Sequence, residues 1–409
     1  MRIVSPESVG LSSERLRRVD QHLMARYIEP GKIAGALTLV ARRGEVAWMS
    51  PLGLMDRERG KPMRVDTMFR IYSMTKPITS VALLMLYERA AFSLSDPVHR
   101  YIPEWEQLRV YRYGRHPNFA TEAAVRPMTM RDLLTHMSGL SYHITERSLI
   151  DDAYRQLGVG APTGTLRDLV LQLAGLPLEY QPGTRWGYSV ASDVIGHLIE
   201  VLSGRSFDEY LRTQIFEPLG MVDTTFTVPM EKIGRFAANY TRPAGNGAAQ
   251  PALLDDPADS AFARPRTWCS GGGGLVSTAA DYLRFCEMLR RGGELDGARL
   301  LGPRTVAYMT SNHLGEGRDL ASLAMPGSFS ETRYEGVGFG LGVYVVMDPV
   351  RAQVPTSVGE YGWGGLASTA FWVVPAEDLV VVFLTQLVPS TTYDFRGQLK
   401  ALIHSAIVA

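Results

Sequence analysis

Apolar positions near the start of this chain follow first a helical and then a strand-like spacing. After Ser12, apolar side chains stand at positions 16, 19, 23 and 27, a spacing that places them on one face of a helix. Residues 33–40 form a continuous apolar run, and a second run at 46–49 follows the turn at Arg43–Gly44. These patterns predict a capped helix that ends before Pro30, followed by a β-hairpin.

The middle of the chain, from residue 95 to about 265, is divided by prolines into short segments. Helical patterns lie between them at 130–135, 166–173 and 190–202, and the last of these ends at Gly204, a good C-cap. The segment 243–267 is rich in Pro, Ala, Gly and Asp, which predicts an exposed loop. The middle block is therefore expected to be mostly helical.

The last third of the chain returns to strand patterns. Residues 336–344 alternate strictly, with glycine on one face, and predict one strand. The apolar runs 367–374 and 379–384 flank the turn-forming segment 375–378, which indicates a hairpin, and 395–409 closes the chain as a helix. Strands at both ends with helices between them predict an α+β fold, in which one antiparallel sheet is flanked by N- and C-terminal helices.

This arrangement predicts two domains. The sheet domain is expected to comprise residues 1–90 and 268–409, and the mostly helical domain residues 91–267. The length of 409 residues agrees with this division, because single cores rarely grow so large.

Composition excludes several classes of partner. The formal net charge is zero, so no strong basic field is available to attract nucleic acid or an anionic membrane. No run of 18 apolar residues occurs, and the N-terminal residues have no apolar segment of signal-peptide length. We therefore expect a cytoplasmic protein, and the oligomeric state stays undetermined.

Cys269 and Cys286 form no disulfide framework, and the eight histidines show no metal-binding spacing, so no metal or cofactor is predicted.

The chemistry of the chain is most clearly indicated by Ser73-Met74-Thr75-Lys76-Pro77. Lys76 is one of five lysines among the 42 basic residues, and of these lysines only Lys76 has a serine three positions before it. Because proline is tolerated only in the first turn of a helix, Pro77 predicts a helix over 73–90 that starts near Ser73. Residues three apart share a helix face, so the Ser73 hydroxyl and the Lys76 amine can meet.

A serine becomes a useful nucleophile when a neighbouring base takes its proton. Burial disfavours the charged form of lysine, so a lysine beside a buried helix can serve as that base. The alternative is that Ser73 only caps the helix, which serine does well. The scarcity of lysine, the position of Pro77 and the apolar helix favour catalysis.

Two further motifs supply candidate residues. Tyr188 lies just before a predicted helix, and a neighbouring ammonium such as Lys76 would favour its phenolate, which could take the Ser73 proton; a tyrosine packed in a turn is the alternative. Trp363-Gly364-Gly365-Leu366 opens a strand, where paired glycines let the backbone approach a ligand closely. The backbone N–H groups of Ser73 and Leu366 are candidate donors to an oxyanion, and a glycine bulge is the alternative.

Two other motifs are interpreted as structural. Ser138 in His136-Met137-Ser138-Gly139 lacks the leading glycine of a Gly-x-Ser-x-Gly elbow. Residues 271–274 are all glycine, but they match neither a dinucleotide fingerprint nor a P-loop, so we expect a turn before a strand at 275–277.

Together these motifs resemble the serine β-lactamase and penicillin-binding-protein superfamily over roughly residues 8–405. The resemblance also includes the segments 134–140 and 273–281, and it is strongest to the family VIII carboxylesterases, which share the class C β-lactamase fold. It implies a β-lactamase-like fold with the active site between the two domains. It also implies Ser73 as nucleophile, Tyr188 and Lys76 as the hydrogen-bonded pair that acts as its base, and the Ser73 and Leu366 amides as the oxyanion hole. Trp363, Gly364, Gly365 and, as a guess, Tyr142 would line the pocket.

Two departures from the class C pattern narrow the expected substrate. Val190 stands where those β-lactamases have asparagine, and Trp363 stands where they have a lysine that helps to bind the β-lactam carboxylate. Trp363 cannot supply a positive charge, and the esterase family shows Trp-Gly-Gly at this point. We therefore predict a serine hydrolase, a carboxylesterase, that acts on short-chain, small-molecule carboxylic esters through an acyl-Ser73 intermediate.

Three alternatives stay open at this point. The same Ser-Lys-Tyr site could transfer the acyl group to an alcohol, as in the similar fungal statin acyltransferases. The protein could be a weak β-lactamase or a D-Ala-D-Ala peptidase, or a non-catalytic scaffold of the same fold. The sequence does not reveal the natural ester, its chain length or the stereoselectivity.

Overall fold

Strands from both ends of the chain pair in one antiparallel sheet of eight strands. The computed structural model describes residues 2–160, 164–242 and 250–409. The strands in these residues are β1 Gly35–Arg42, β2 Glu45–Asp56, β3 Lys61–Pro62, β4 Phe69–Arg70, β5 Arg109–Arg115, β6 Asn118–Ala123, β7 Asn239–Thr241, β8 Ala252–Asp255, β9 Val276–Ser277, β10 Glu294–Leu295, β11 Ala298–Arg299, β12 Val337–Phe339, β13 Tyr344–Val346, β14 Tyr361–Gly365, β15 Thr369–Val374, β16 Leu379–Thr385 and β17 Leu387–Val388.

The order of strands in the sheet is β12-β13-β14-β15-β16-β1-β2-β3. The N-terminal hairpin joins the C-terminal strands where β1 pairs with β16, with Leu39 opposite Val382. Small sheets lie around this one: β17 pairs with β7, which pairs with β8, while β4 pairs with β9 and β5 with β6.

The α-helices lie on both faces of the large sheet. Along the sequence, most of them come between its N-terminal and its C-terminal strands. Those in the described residues are α1 Ser13–Leu23, α2 Thr75–Glu88, α3 Met130–Leu134, α4 Leu149–Gln156, α5 Leu166–Ala174, α6 Ala191–Ser203, α7 Phe207–Leu211, α8 Glu217–Leu219, α9 Ala279–Arg290, α10 Pro303–Met309, α11 Leu320–Leu323, α12 Pro349–Ala352 and α13 Phe395–His404.

Both faces of the central strand β16 are buried, which explains its unbroken apolar sequence. Val380 and Val382 join the larger core on the face towards α2, whereas Val381 and Phe383 join a second core on the face towards α1 and α13. Successive strand side chains point to opposite faces, so one strand contributes to both cores.

Helix α2 is buried along almost its whole length, from Thr75 to Leu86. It lies against the larger core and contacts α6 and α7. A helix that is apolar all round is a core helix. Its N-terminus, which carries the Ser-x-x-Lys motif, is therefore held by packing on several sides.

Several sequence predictions are confirmed. Ser12 caps α1 by accepting a hydrogen bond from the backbone of Arg15, and α6 ends at Gly204 in a left-handed conformation with φ of 69°. The hairpin of β15 and β16 turns at 375–378 as expected. The β-lactamase-like fold with one large antiparallel sheet is also confirmed. The domain division at residues 90 and 268 stays a prediction.

Four predictions about elements need correction. Residues 336–344 are not one strand, because Gly340 to Val343 turn the chain between β12 and β13 and Gly342 has φ of 93°. The hairpin of β5 and β6 lies within the block expected to be helical. The closing helix α13 ends at His404 rather than Ala409. The expected loop 243–267 contains strand β8, and its part 243–249 lies outside the described residues.

Candidate active site

Ser73 lies in a tight turn immediately before α2. Tyr72 has φ of 43°, a left-handed conformation that costs free energy for a residue with a side chain. The turn is fixed from outside, because Ile71 N–H donates to the carbonyl of Leu275 at 3.1 Å and the Tyr282 hydroxyl donates to the carbonyl of Met74 at 2.8 Å. Its neighbours thus hold the Ser73 hydroxyl in place.

Lys76 lies one turn further along, with its amine beside the Ser73 hydroxyl. The Lys76 Nζ to Ser73 Oγ distance is 3.2 Å, which confirms that the two groups meet on one face. The same amine donates to the carbonyl of Gly272 at 2.6 Å, and it lies 4.6 Å from the centre of the Tyr188 ring. Lys76 is 1% exposed, so the amine is almost completely removed from solvent.

Burial lowers the pKa of Lys76 from its ordinary value of 10.5 to about 8, although the charges of Asp193 and Glu331 act in the opposite direction. Removing an ammonium from water disfavours its charged form. A substantial fraction of Lys76 is therefore neutral at mildly alkaline pH, and a neutral amine at 3.2 Å can accept a proton from Ser73.

Tyr188 reaches the same point from the loop before α6. The loop is held by backbone hydrogen bonds from Gly187 N–H to the carbonyl of His136 at 2.9 Å and from Val190 N–H to the carbonyl of Ser141 at 3.0 Å. Tyr188 is fully buried. The structure thus brings together the three side chains that the sequence predicted to be catalytic.

The surroundings of Tyr188 act against the phenolate expected from the sequence. Burial raises the pKa of the phenol well above its usual value, the neighbouring Tyr142 and Glu331 raise it further, and contact with the Ser73 hydroxyl lowers it only in part. This direction is opposite to the expectation of a phenolate favoured by Lys76. A protonated phenol is an acid rather than a base, so Lys76 is the better candidate for the base.

Trp363 lies in strand β14 beside this phenol. Its indole Nε1–H donates to the Tyr188 hydroxyl at 3.4 Å. Gly364 and Gly365 follow in the same strand, and Leu366 is the first residue after it. A Cβ at Gly365 would collide with the carbonyl of Ile71. The end of β14 therefore approaches the turn before Ser73 so closely that no side chain fits between them.

Tyr142 also belongs to this cluster. Its hydroxyl lies 3.5 Å from Lys76 Nζ, and its ring meets the Tyr188 ring edge-on with centroids 5.4 Å apart. At 8% exposure it is nearly buried. The guess placed this residue in the pocket wall, whereas its hydroxyl lies next to the amine.

Sequence reasoning missed the residues that position Lys76. Asp193 Oδ1 accepts from Gly272 N–H at 3.1 Å and from the Ser270 hydroxyl at 2.6 Å, and so holds the turn whose Gly272 carbonyl binds the amine. For the glycine run 271–274 the sequence predicts only a turn. The only indication of this role in the sequence is the position of Asp193, which lies five residues after Tyr188 and in the first turn of α6.

His136 was also missed. Its Nδ1 lies 3.0 Å from the Ser189 hydroxyl, and its ring meets the Tyr188 ring with centroids 5.0 Å apart. Burial lowers the pKa of His136 well below its ordinary value, so the ring is a neutral wall for the phenol. Ser138 is fully buried, and its hydroxyl accepts from the backbone of Leu140.

Within residues 2–160, 164–242 and 250–409, no group of three or more His, Cys, Asp or Glu side chains is arranged to hold a metal ion. In that same part of the chain, no helix has both the length and the apolar character needed to cross a lipid bilayer.

Comparison with known proteins agrees with this architecture. The family model described as beta-lactamase matches residues 16–405. Esterase EstB of Burkholderia gladioli is 33% identical, and the alignment covers 99% of this chain and 98% of EstB. An uncharacterised Mycobacterium tuberculosis protein is 34% identical over 92% of this chain and 91% of its own length. The solved structure of EstCE1, described as a hydrolase with promiscuous acyltransferase activity, has a TM-score of 0.78 and 26% identity, with 99% of both chains covered.

Proposed function

The chain belongs to the beta-lactamase family, and from that premise we propose that it is a serine carboxylesterase of the family VIII type. The reaction would be the hydrolysis of short-chain carboxylic esters through an acyl-Ser73 intermediate. The observation that carries the proposal is the buried Lys76 amine, 3.2 Å from the Ser73 hydroxyl and with a pKa lowered to about 8. Similarity to EstB, whose name describes an esterase, supports the same reaction.

In the proposed first step, neutral Lys76 accepts the Ser73 proton while Ser73 Oγ attacks the ester carbonyl carbon. The carbonyl oxygen becomes an oxyanion, for which the backbone N–H groups of Ser73 and Leu366 are the proposed donors. The C–O bond to the alcohol then breaks, and the protonated Tyr188 phenol gives its proton to the leaving oxygen. Lys76 returns a proton to Tyr188, so the charges balance.

In the second step, water attacks the acyl-Ser73 carbonyl with the same residues in reverse roles. The Tyr188 phenol passes its proton to neutral Lys76 and takes one from the attacking water, and Lys76 then gives its proton to Ser73 Oγ as the bond between that oxygen and the acyl carbon breaks. The carboxylic acid and the free enzyme result. Because Trp363 supplies no positive charge beside Tyr188, the site favours neutral esters over substrates with a carboxylate at that point.

The proposal is tested by Ser73→Ala with p-nitrophenyl butyrate as the substrate. Removing the nucleophile of a covalent mechanism is expected to lower kcat by at least about 10³-fold. Circular dichroism and thermal unfolding should match the unaltered protein, since Ala fits the Ser73 site. Ser138→Ala is the matched control, because it removes another buried serine hydroxyl outside the cluster, and it should keep its turnover. Full turnover by the Ser73→Ala protein would contradict the proposed mechanism.

Acyl transfer to an alcohol is the second candidate, favoured by the description of EstCE1 as a hydrolase with acyltransferase activity. An alcohol would replace water in the second step at the same residues. Product analysis with butyrate esters in the presence of a competing alcohol separates the two reactions, since acyl transfer gives a new ester and hydrolysis gives butyric acid.

A further inference from the structure

A pocket of about 290 Å³ lies between helix α13 and strands β13, β14 and β15, and we call it the α13 pocket. Its apolar walls include Val346, Val354, Trp372 and Phe395. Ligand sites are typically concave and mostly apolar, with a few placed polar groups that fix orientation. The α13 pocket has the walls of such a site and the volume for a small organic molecule.

Polar atoms without partners are concentrated in this pocket. Among the described residues, eight buried side-chain atoms lack a hydrogen-bond partner, and three of them belong to residues that line the α13 pocket. These are Glu331 Oε1, Arg396 Nε and Ser390 Oγ. Glu331 is 1% exposed and Ser390 is 6% exposed. Buried polar groups are normally paired, so this set is prepared for a molecule that both donates and accepts hydrogen bonds.

The charges around the pocket are balanced. Arg396 Nη2 donates to Glu331 Oε2, and Lys400, which also lines the pocket, is paired with Glu360 at 2.5 Å. An anion or a cation would therefore meet no unpaired opposite charge. A hydroxyl group fits better, because it can donate to Glu331 Oε1 while it accepts from Arg396 Nε–H.

The pocket borders the candidate active site. Trp363 lines the α13 pocket and donates to the Tyr188 hydroxyl from its indole. Gly364, the next residue in β14, leaves the space in which the Arg396 guanidinium lies, since a Cβ there would collide with Nη2. Tyr188 is the proposed donor to the leaving alcohol. The α13 pocket therefore adjoins, across Trp363, the hydroxyl proposed to protonate the leaving alcohol.

We propose that the α13 pocket is the alcohol-side subsite of the enzyme and that it selects leaving alcohols with further hydroxyl groups, of which glycerol is the simplest representative. The inference rests on the proposed esterase function and adds the class of alcohol. The acyl group is left unspecified, because the α13 pocket receives only the alcohol side.

The test compares two esters with the same acyl group and the same three-carbon alcohol skeleton, glycerol 1-butyrate and propyl butyrate. The unaltered protein should have the higher kcat/KM for the glycerol ester. Ser390→Ala removes one unpartnered hydroxyl and should lower the ratio of the two kcat/KM values roughly three- to tenfold, the effect of one lost hydrogen bond. A structural role for Ser390 would lower both values together and leave the ratio unchanged.

Thr38→Val is the matched control. Thr38 Oγ1 is another buried hydroxyl without a partner among the described residues, but it lies in the central strand β1 and does not line the pocket. This variant should keep the ratio of the unaltered protein. If the ratio of the two kcat/KM values shifts in both Ser390→Ala and Thr38→Val, the effect comes from a general loosening of the fold. That result would overturn the proposed subsite.

A binding measurement separates the subsite from the reaction. In the Ser73→Ala protein, saturation-transfer NMR should show the glycerol ester bound more tightly than propyl butyrate, and this holds even where Ser390→Ala fails to fold. If the two esters bind equally and Ser390→Ala leaves the ratio of their kcat/KM values unchanged, the proposed subsite is wrong and water molecules pair the polar atoms. The proposed esterase function would not be affected by that result. Selective binding without turnover of either ester by the unaltered protein would overturn the esterase and keep the preference of the pocket for hydroxyls.

Discussion

Lys76 is the residue whose surroundings set the protonation chemistry of the site. Its amine touches the Ser73 hydroxyl, the Gly272 carbonyl and the Tyr142 hydroxyl. The amine is uncharged in the form that can take a proton, and burial brings the pKa down to about 8. The acid limb of activity should therefore report the titration of one side chain.

The first prediction at this scale concerns pH. The neutral fraction of Lys76 rises tenfold per pH unit below its pKa, so kcat/KM should rise with pH and level off above about 8. A carboxylate base would instead give full activity already near pH 6. Rates with propyl butyrate between pH 6 and 9.5 distinguish the two, because this ester has no titrating leaving group.

The second prediction concerns Asp193. Its charge raises the pKa of Lys76, so Asp193→Asn should lower that pKa and move the acid limb towards lower pH. Asn keeps an oxygen acceptor for Ser270 and Gly272. Asp168→Asn, at the exposed start of α5, serves as the control and should leave the limb in place. An unmoved limb in the Asp193→Asn protein would contradict the assignment of the limb to Lys76.

At the scale of elements, the site is the meeting of α2, the loop before α6 and the end of β14. The sequence predicted the first two by local rules, from a proline in the first turn and from an apolar helix ended by glycine. The paired glycines were expected to open a strand, whereas Gly364 and Gly365 end β14. It also predicted that Ser73, Lys76 and Tyr188 would converge, through a resemblance over the whole chain. The positioning of Lys76 by Asp193 and the formation of the α13 pocket depend on contacts between segments that are far apart in the sequence. No local spacing of residues encodes such contacts.

The missed elements have a similar cause. The alternation at 336–344 is correct for strands, but glycine at the turn lets the chain reverse, so two short strands replace one. The hairpin β5–β6 carries the strand-favouring residues Val110, Tyr111 and Tyr113, but the prolines around it favoured a division into short helices. Local propensity is a weak guide where tertiary packing decides.

The prediction at this scale concerns the close approach of β14 to the turn before α2. In Gly365→Ala the new Cβ would collide with the backbone carbonyl of Ile71, and backbone atoms move less easily than side chains. We expect a loss of esterase activity of at least about 10²-fold, the cost of misplaced donors to an oxyanion, and a lowered Tm. Gly234→Ala is the control, since its Cβ meets nothing within 4 Å. Unchanged kinetics in the Gly365→Ala protein would contradict the close approach.

At the scale of the whole molecule, one buried arginine joins parts of the chain that are far apart in sequence. Arg70 in β4 is fully buried. It donates to the carbonyl of Ala237 at 2.6 Å and to Ser260 at 3.1 Å, and it is paired with Asp255 at 2.6 Å. Because Ser73 follows three residues later, this network connects the nucleophile turn to the middle segments.

The corresponding prediction is Asp255→Asn. It leaves the buried guanidinium without its counter-charge, which should lower the free energy of unfolding by about 3 kcal/mol. The exposed pair of Asp259 and Arg264 gives the control, because Asp259→Asn should cost less than about 0.5 kcal/mol. Urea denaturation followed by fluorescence measures both, and equal midpoints for the two variants would contradict the role of Arg70.

The consecutive glycines of β14, Gly364 and Gly365, have a consequence for how this enzyme can be diversified. A methyl group would collide with the backbone carbonyl of Ile71 at Gly365 and with the Arg396 side chain at Gly364, so mutagenesis of the strand itself offers little room for new selectivity. Substitutions in α13 and in the segments around Glu331 and Ser390 face the same space from the other side. A library confined to those positions would change which alcohols are accepted while the catalytic strand stays as it is.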